Sequence, residues 1–194
     1  MYLVPPSMQC LRHLVAGNLA AATHASGLSF DRRPWPDDVE MREGLSVHLS
    51  GCELNPRDRL WRVYVIAADD ETAIGHVGFK GGPSRQGELE MYWCIEPPFR
   101  QRGIAKAAAV SLADYAFKQP PVHAIIATIA RHNVPSQRVA STVGMQNVGN
   151  EIRHGLPLWR LTRDMWRPVA STMTVAMPEF EDIRPRRPGA RRNG

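Results

Sequence analysis

Glu90-Met91-Tyr92-Trp93-Cys94-Ile95-Glu96-Pro97-Pro98-Phe99-Arg100-Gln101-Arg102-Gly103-Ile104-Ala105-Lys106-Ala107-Ala108 passes through three textures in nineteen residues. It begins rich in aromatic and apolar residues, crosses two prolines and an arginine-rich turn, and enters an alanine-rich segment. Residues 88–95 read as a strand. Residues 104–117 contain no proline and repeat apolar residues at helical spacing, which predicts a helix. A helix's first N–H groups have no partner within the helix. A turn that aims several of them at one point, beside arginine side chains, makes an anion site suited to a pyrophosphate. Gly103 lets the backbone approach such a group, and Ala105 is small for the same reason. Neither G-x-x-x-x-G-K-[ST] nor G-x-G-x-x-G is present, which disfavours a nucleoside triphosphate. Taken alone, the short R-x-x-G-x-A match also fits a basic surface turn capping a helix.

On either side of this run the pattern predicts more of the same sheet. Residues 61–67 and 72–80 read as a hairpin around the polar turn Ala68-Asp69-Asp70-Glu71, and the loop of residues 81–87 leads into the strand at 88–95. Gln119-Pro120-Pro121 stops the helix, and residues 122–130 form a short buried strand. Asn133-Val134-Pro135-Ser136 opens a second helix that should stop at Gly144. Residues 148–154 and 158–162 are expected to close the sheet as a hairpin. Upstream, helices are expected over 8–25, with a break near Gly17-Asn18, and over 37–49, opened by an Asp37-Asp38 cap. The segment between them, Asp31-Arg32-Arg33-Pro34-Trp35-Pro36, reads as a stiff exposed loop. It would cover an acceptor, or serve as a tether with Trp35 packed down. Periodicity fades near residue 168, so the expectation is one domain over 1–167 and a flexible Arg/Pro-rich tail over 168–194.

Composition agrees with a single globular unit. The chain has 194 residues, of which 43% are hydrophobic, enough to fill a core without disulfide or metal staples. Cys10, Cys52 and Cys94 are isolated, so no disulfide framework and no metal site are expected. That usage suits a reducing compartment, and a cytoplasmic setting follows as an expectation. The start has no basic region followed by an apolar run, and no stretch is long enough to span a membrane. The formal charge of +5 is uneven, with Arg184, Arg186, Arg187, Arg191 and Arg192 all in the last eleven residues. With no interleaved aromatic platform beyond Phe180, the tail reads as a solvated terminus rather than a nucleic-acid contact.

The run from Glu90 to Ala108 resembles the fourth strand, pyrophosphate loop and following helix of the GNAT superfamily of acyl-CoA N-acyltransferases. Asn133-Val134-Pro135-Ser136, with Val139, Gly144 and Met145, is similar to a motif of the subgroup that includes ribosomal-protein N-terminal acetyltransferases. Resemblance covers roughly residues 60–165. It implies an α+β fold, with a mixed, mostly antiparallel central sheet flanked by helices and splayed between its fourth and fifth strands. It also implies acetyl-CoA as co-substrate and no metal. Cys94, Ile95 and Glu96 would meet the pantetheine arm through main-chain atoms. Arg100, Gln101, Arg102, Gly103, Ile104 and Ala105 would surround the pyrophosphate, and Asn133 and Ser136 would lie near the thioester.

Glu90 is the expected base, with Glu88 on the same strand face able to substitute for it. Ser136 is the expected donor to the departing thiolate, weighed against a plain helix-opening serine. Many relatives carry a tyrosine four residues after that serine; here the position is Ala140, which leaves the general acid in doubt. His76 and His132 are taken as structural. The implied activity is transfer of acetyl to a primary amine, on a protein N-terminus or a small molecule. A domain that binds acyl-CoA without catalysis is the alternative, and both monomer and homodimer are compatible.

Overall fold

A computed structural model describes residues 1–30, 35–36, 39–168 and 173–175. The chain runs β1 (Tyr2–Val4), α1 (Met8–Val15), α2 (Leu19–Ser26), α3 (Val39–Leu54), β2 (Val63–Ala67), β3 (Ala73–Phe79), β4 (Glu88–Ile95), α4 (Ile104–Phe117), β5 (Ala124–Thr128), α5 (Val134–Val143), β6 (Gln146–Asn150), β7 (Pro157–Thr162) and β8 (Thr174–Val175). Eight strands form one sheet in the order β6-β7-β5-β4-β3-β2-β1-β8. Its neighbours are antiparallel except β4 with β5 and β1 with β8. The fold is therefore α+β, with the mixed, mostly antiparallel sheet that the sequence implies.

The sheet divides the molecule into two cores. Tyr64, Ile66, Val77, Phe79, Leu89 and Met91 pack on one face against Ala108, Ala109, Leu112, Ala113 and Ala116 of α4. Small side chains on that helix bring its axis close to the strands, which is the use of so alanine-rich a segment. On the other face Val63, Val65 and Ala67 pack with Cys10, Leu11, Leu14, Leu19 and Leu45 of α1–α3. Strand β2, Val-Tyr-Val-Ile-Ala, is buried along its whole length because both of its faces are covered.

Where the elements depart from the sequence-based expectation, the reason is visible. Helix α3 continues to Leu54 rather than stopping at residue 49, because the first proline after it is Pro56. Within it, Gly51 leaves room for the Arg62 side chain, which a Cβ would strike at 2.0 Å. The Asp37-Asp38 cap lies outside the described residues, as do residues 31–34. Trp35 is buried rather than exposed: its ring meets Phe30 edge-on at 4.8 Å and His76 at 5.7 Å. The last hairpin begins earlier than expected, at Gln146 rather than 148. Gly149 at φ 115° shifts the register between Asn147 and Asn150, so residues 151–156 become turn.

Two strands have too few residues to show a period in the sequence. Leu3 of β1 is fully buried, and β1 pairs with β2. Met173 is buried, and Thr174–Val175 pair with β1, so the sheet extends beyond residue 168, where periodicity fades. No helix among the described residues is long and apolar enough to cross a membrane.

Candidate active site

The site begins where two strands part. β4 pairs with β3 from Met91↔Phe79 to Ile95↔Gly75, yet pairs in parallel with β5 only from Glu88↔Ala124 to Glu90↔Ile126. Beyond Glu90 a wedge opens between β4 and β5. Backbone groups along a strand turn to alternate sides. The Glu90 carbonyl accepts from Lys80 N–H at 2.8 Å, and Glu96 N–H donates to the Ile74 carbonyl at 3.0 Å, so these residues turn toward β3. Trp93 and Ile95 turn toward the wedge. Among the three residues expected to offer main-chain atoms, Ile95 is thus the one that faces it, and its carbonyl accepts from Arg100 Nε at 2.8 Å. Cys94 is in register with His76, and Glu96 is wholly buried.

The arginine-rich turn closes the wide end of the wedge. Pro97–Phe99 form a single 3-10 turn, after which Gln101 takes φ 62° and Gly103 φ 75°. A Cβ at Gly103 would meet nothing within 4 Å, so the left-handed backbone, not crowding within the protein, calls for glycine here. Gly103 caps α4 without any side-chain hydrogen bond. Ala107 N–H reaches back to the Gly103 carbonyl at 3.0 Å, which leaves the N–H groups of Ile104, Ala105 and Lys106 without helical partners. Arg100, Gln101 and Arg102 are exposed around that opening, Arg102 standing over the Phe99 ring at 5.6 Å. Buried Ile104 anchors the turn to the core. Unpaired N–H groups, the positive end of a fourteen-residue helix and flanking arginines fit a pyrophosphate.

At the apex of the wedge sits Glu90. Its Oε1 receives Lys80 Nζ at 2.5 Å from the facing position on the β3 side, and the Thr128 hydroxyl donates to the same oxygen from β5. Glu88, two residues earlier on the same face, is bound instead to Arg160 Nη1 at 2.6 Å. The two carboxylates therefore have separate partners, and Glu90 is the one at the opening.

Beyond Glu90 on this face lies a cavity of about 290 Å³, lined by Met41, Leu45, His48, His76, Lys80 and Tyr92 among others. His48 stacks on the Tyr92 ring at 5.2 Å, and His76 meets the same ring at 5.8 Å. Burial, helped by the positive charges of Arg62 and Lys80, pushes His48 down to about 4, so its imidazole is neutral near pH 7. Burial likewise raises the Tyr92 phenol well above its ordinary value. Arg62 is held by Asp58 at 2.8 Å.

On the far lip of the wedge, α5 follows β5. Asn133 Oδ1 accepts from Ser136 N–H at 3.1 Å, a side-chain cap on the first turn, and Ser136 is half-buried. Ala140 is fully buried in the core shared with α4. His132 is exposed and His76 is buried between rings. Sequence reading missed Lys80, Thr128 and His48. The Lys80–Glu90 pair was available from the hairpin register; the other two depend on how β5 and α3 are placed.

Residues 10–146 match the family model of the acetyltransferase (GNAT) domain. The chain is 35% identical over 97 residues to YnaD of Bacillus subtilis (strain 168), described as an uncharacterized N-acetyltransferase. That match spans 49% of this chain and 55% of YnaD, so it covers about half of the relative. Among solved structures, RimJ of Mycobacterium smegmatis in complex with a CoA-disulfide superposes with a TM-score of 0.57 at 21% identity, covering 84% of this chain and 81% of RimJ. RimL, a ribosomal L7/L12 alpha-N-protein acetyltransferase in complex with coenzyme A, gives a TM-score of 0.57 at 18% identity, covering 82% of this chain and 92% of RimL.

Proposed function

The chain belongs to the GNAT acetyltransferase family, and from that we propose that it transfers an acetyl group from acetyl-CoA to a primary amine by direct attack. The observation that carries this reading is the junction of an anion-binding turn, an opened strand edge and a carboxylate at the wedge apex. Arg100, Gln101, Arg102 and the N–H groups of Gly103, Ile104 and Ala105 would hold the pyrophosphate. The backbone of β4 near Ile95 would run beside the pantetheine, with Cys94 and Glu96 as its neighbours in the strand. Bound there, acetyl-CoA supplies an activated acetyl group, whose C–S bond breaks as the amine's lone pair forms the new C–N bond. Glu90 receives the proton the nitrogen must lose. Ser136, with its N–H fixed by Asn133, turns its hydroxyl to the sulfur, and a thiol of pKa about 8.5 needs little further help to leave. Glu90 standing at the opening favours catalysis over simple acyl-CoA binding. The acceptor is a protein N-terminus or a small amine.

Calorimetric titration with acetyl-CoA tests the core of this reading. Wild type should bind, and an Arg102→Glu/Gly103→Asp double variant should lose at least about a hundredfold in affinity, since each change sets a carboxylate against a phosphate. A folded wild type that binds neither acetyl-CoA nor CoA at millimolar concentration would reduce the turn to a basic helix cap.

A further inference from the structure

The transferase reading leaves open what kind of amine the 290 Å³ cavity accepts, and Lys80 supplies a criterion. Its ammonium lines the cavity and binds the same Glu90 carboxylate that an incoming amine must reach. It is not a buried structural tie, because its side chain is 54% exposed against 28% for Glu90, so the cation can swing away while the carboxylate stays. An acceptor's ammonium and Lys80 therefore compete for one acid.

A simple monoamine that displaces Lys80 leaves that cation without its counter-charge beside His48, with Arg62 already adding positive potential there. A polyamine adds further positive charge to the same place. A zwitterion behaves differently. It brings one charge of each sign, so four charges end up alternately paired and none is stranded in a half-apolar site. The remaining walls, Met41, Leu45 and the Tyr92 ring, suit an uncharged side chain. The volume lies at the small end for ligand cavities, closer to one amino acid than to an extended molecule.

Building on the transferase reading, we propose that Lys80 is the specificity-determining residue of this site, and that the acceptor is an α-amino acid with an apolar side chain. Its ammonium takes Lys80's place on Glu90, its carboxylate becomes the new partner of Lys80, and its side chain fills the cavity between α3 and Tyr92. Glu90 then receives the proton as the nitrogen is acylated.

Binding of L-leucine, L-leucinamide and isoamylamine to the full chain, by calorimetry with and without CoA, separates the charges while keeping the side chain constant. Thiol release from acetyl-CoA is followed with the same three amines. Leucine should bind at least about tenfold tighter than either analogue, the value of one charge-assisted contact, and show the same ratio in kcat/KM. Lys80→Met should bring that ratio close to one, and Lys80→Arg should restore part of it. Equal binding of leucine and leucinamide overturns the proposal. So does an equal loss for all three amines in Lys80→Met, which would make Lys80 merely a holder of Glu90, or absence of leucine binding at tens of millimolar. Failure of the transferase reading is distinct: no acetyl-CoA binding and no thiol release with any amine, whatever the leucine ratio.

Discussion

Replacing Glu90 by Gln keeps the size of the side chain and removes its basicity, so binding and chemistry separate. We expect kcat to fall by about 10² to 10⁴ while acetyl-CoA affinity, set by the turn at 100–105, changes little; steady-state kinetics beside calorimetry checks both. At Gly103 the cost is conformational. Alanine fits the space, yet φ 75° disfavours any Cβ, so Gly103→Ala should lose about 1 kcal/mol of stability in urea unfolding. His48 carries a pH signature. Its folded value near 4 lies below the model value of 6.5, so between those limits the unfolded chain binds more protons. Its contribution is complete above pH 6.5 and drains away as pH falls toward 4, to a limit on the order of 3 kcal/mol. Urea midpoints measured across that range should flatten in His48→Gln.

Among the elements, the best-predicted ones are those whose boundaries are chemical. Strand β4 and helix α4 begin and end at the residues expected because glycine, prolines and a change of period mark both sides. Helix α5 starts at the Asn133 cap and stops at Gly144, with φ 99°. Asn133→Ala should therefore destabilise the protein by about 1 kcal/mol and lower kcat further if Ser136 shifts with the cap. The elements that escaped notice depend on distant partners. Nothing in Tyr2-Leu3-Val4 signals a strand until β2 lies beside it. Within the site, the turn and Glu90 were legible because local sequence makes them. The cavity was not, since His48, His76 and Lys80 come together only when α3 lies across β3 and β4.

Over the whole molecule, the sheet ends far from where the domain was expected to end. Ending the chain at Pro168 would remove Met173, buried against the α4 core, together with β8. A loss of roughly 1.5–3 kcal/mol is expected from the methionine alone, readable as a lower Tm, and retention of the full Tm would show the strand to be dispensable. The two cores also divide the labour. The donor turn rests on α4 and is built mainly from main-chain N–H groups, which most side-chain replacements leave in place. The acceptor cavity rests on α3 and is built from side chains. Saturation mutagenesis should then show tolerance across the turn, broken at the position of left-handed glycine, and sharp dependence on identity around Lys80. A lineage that inherits this arrangement can exchange its acceptor by altering a few residues on one face while the cofactor half is carried unchanged, so new specificity is reachable without first losing the reaction.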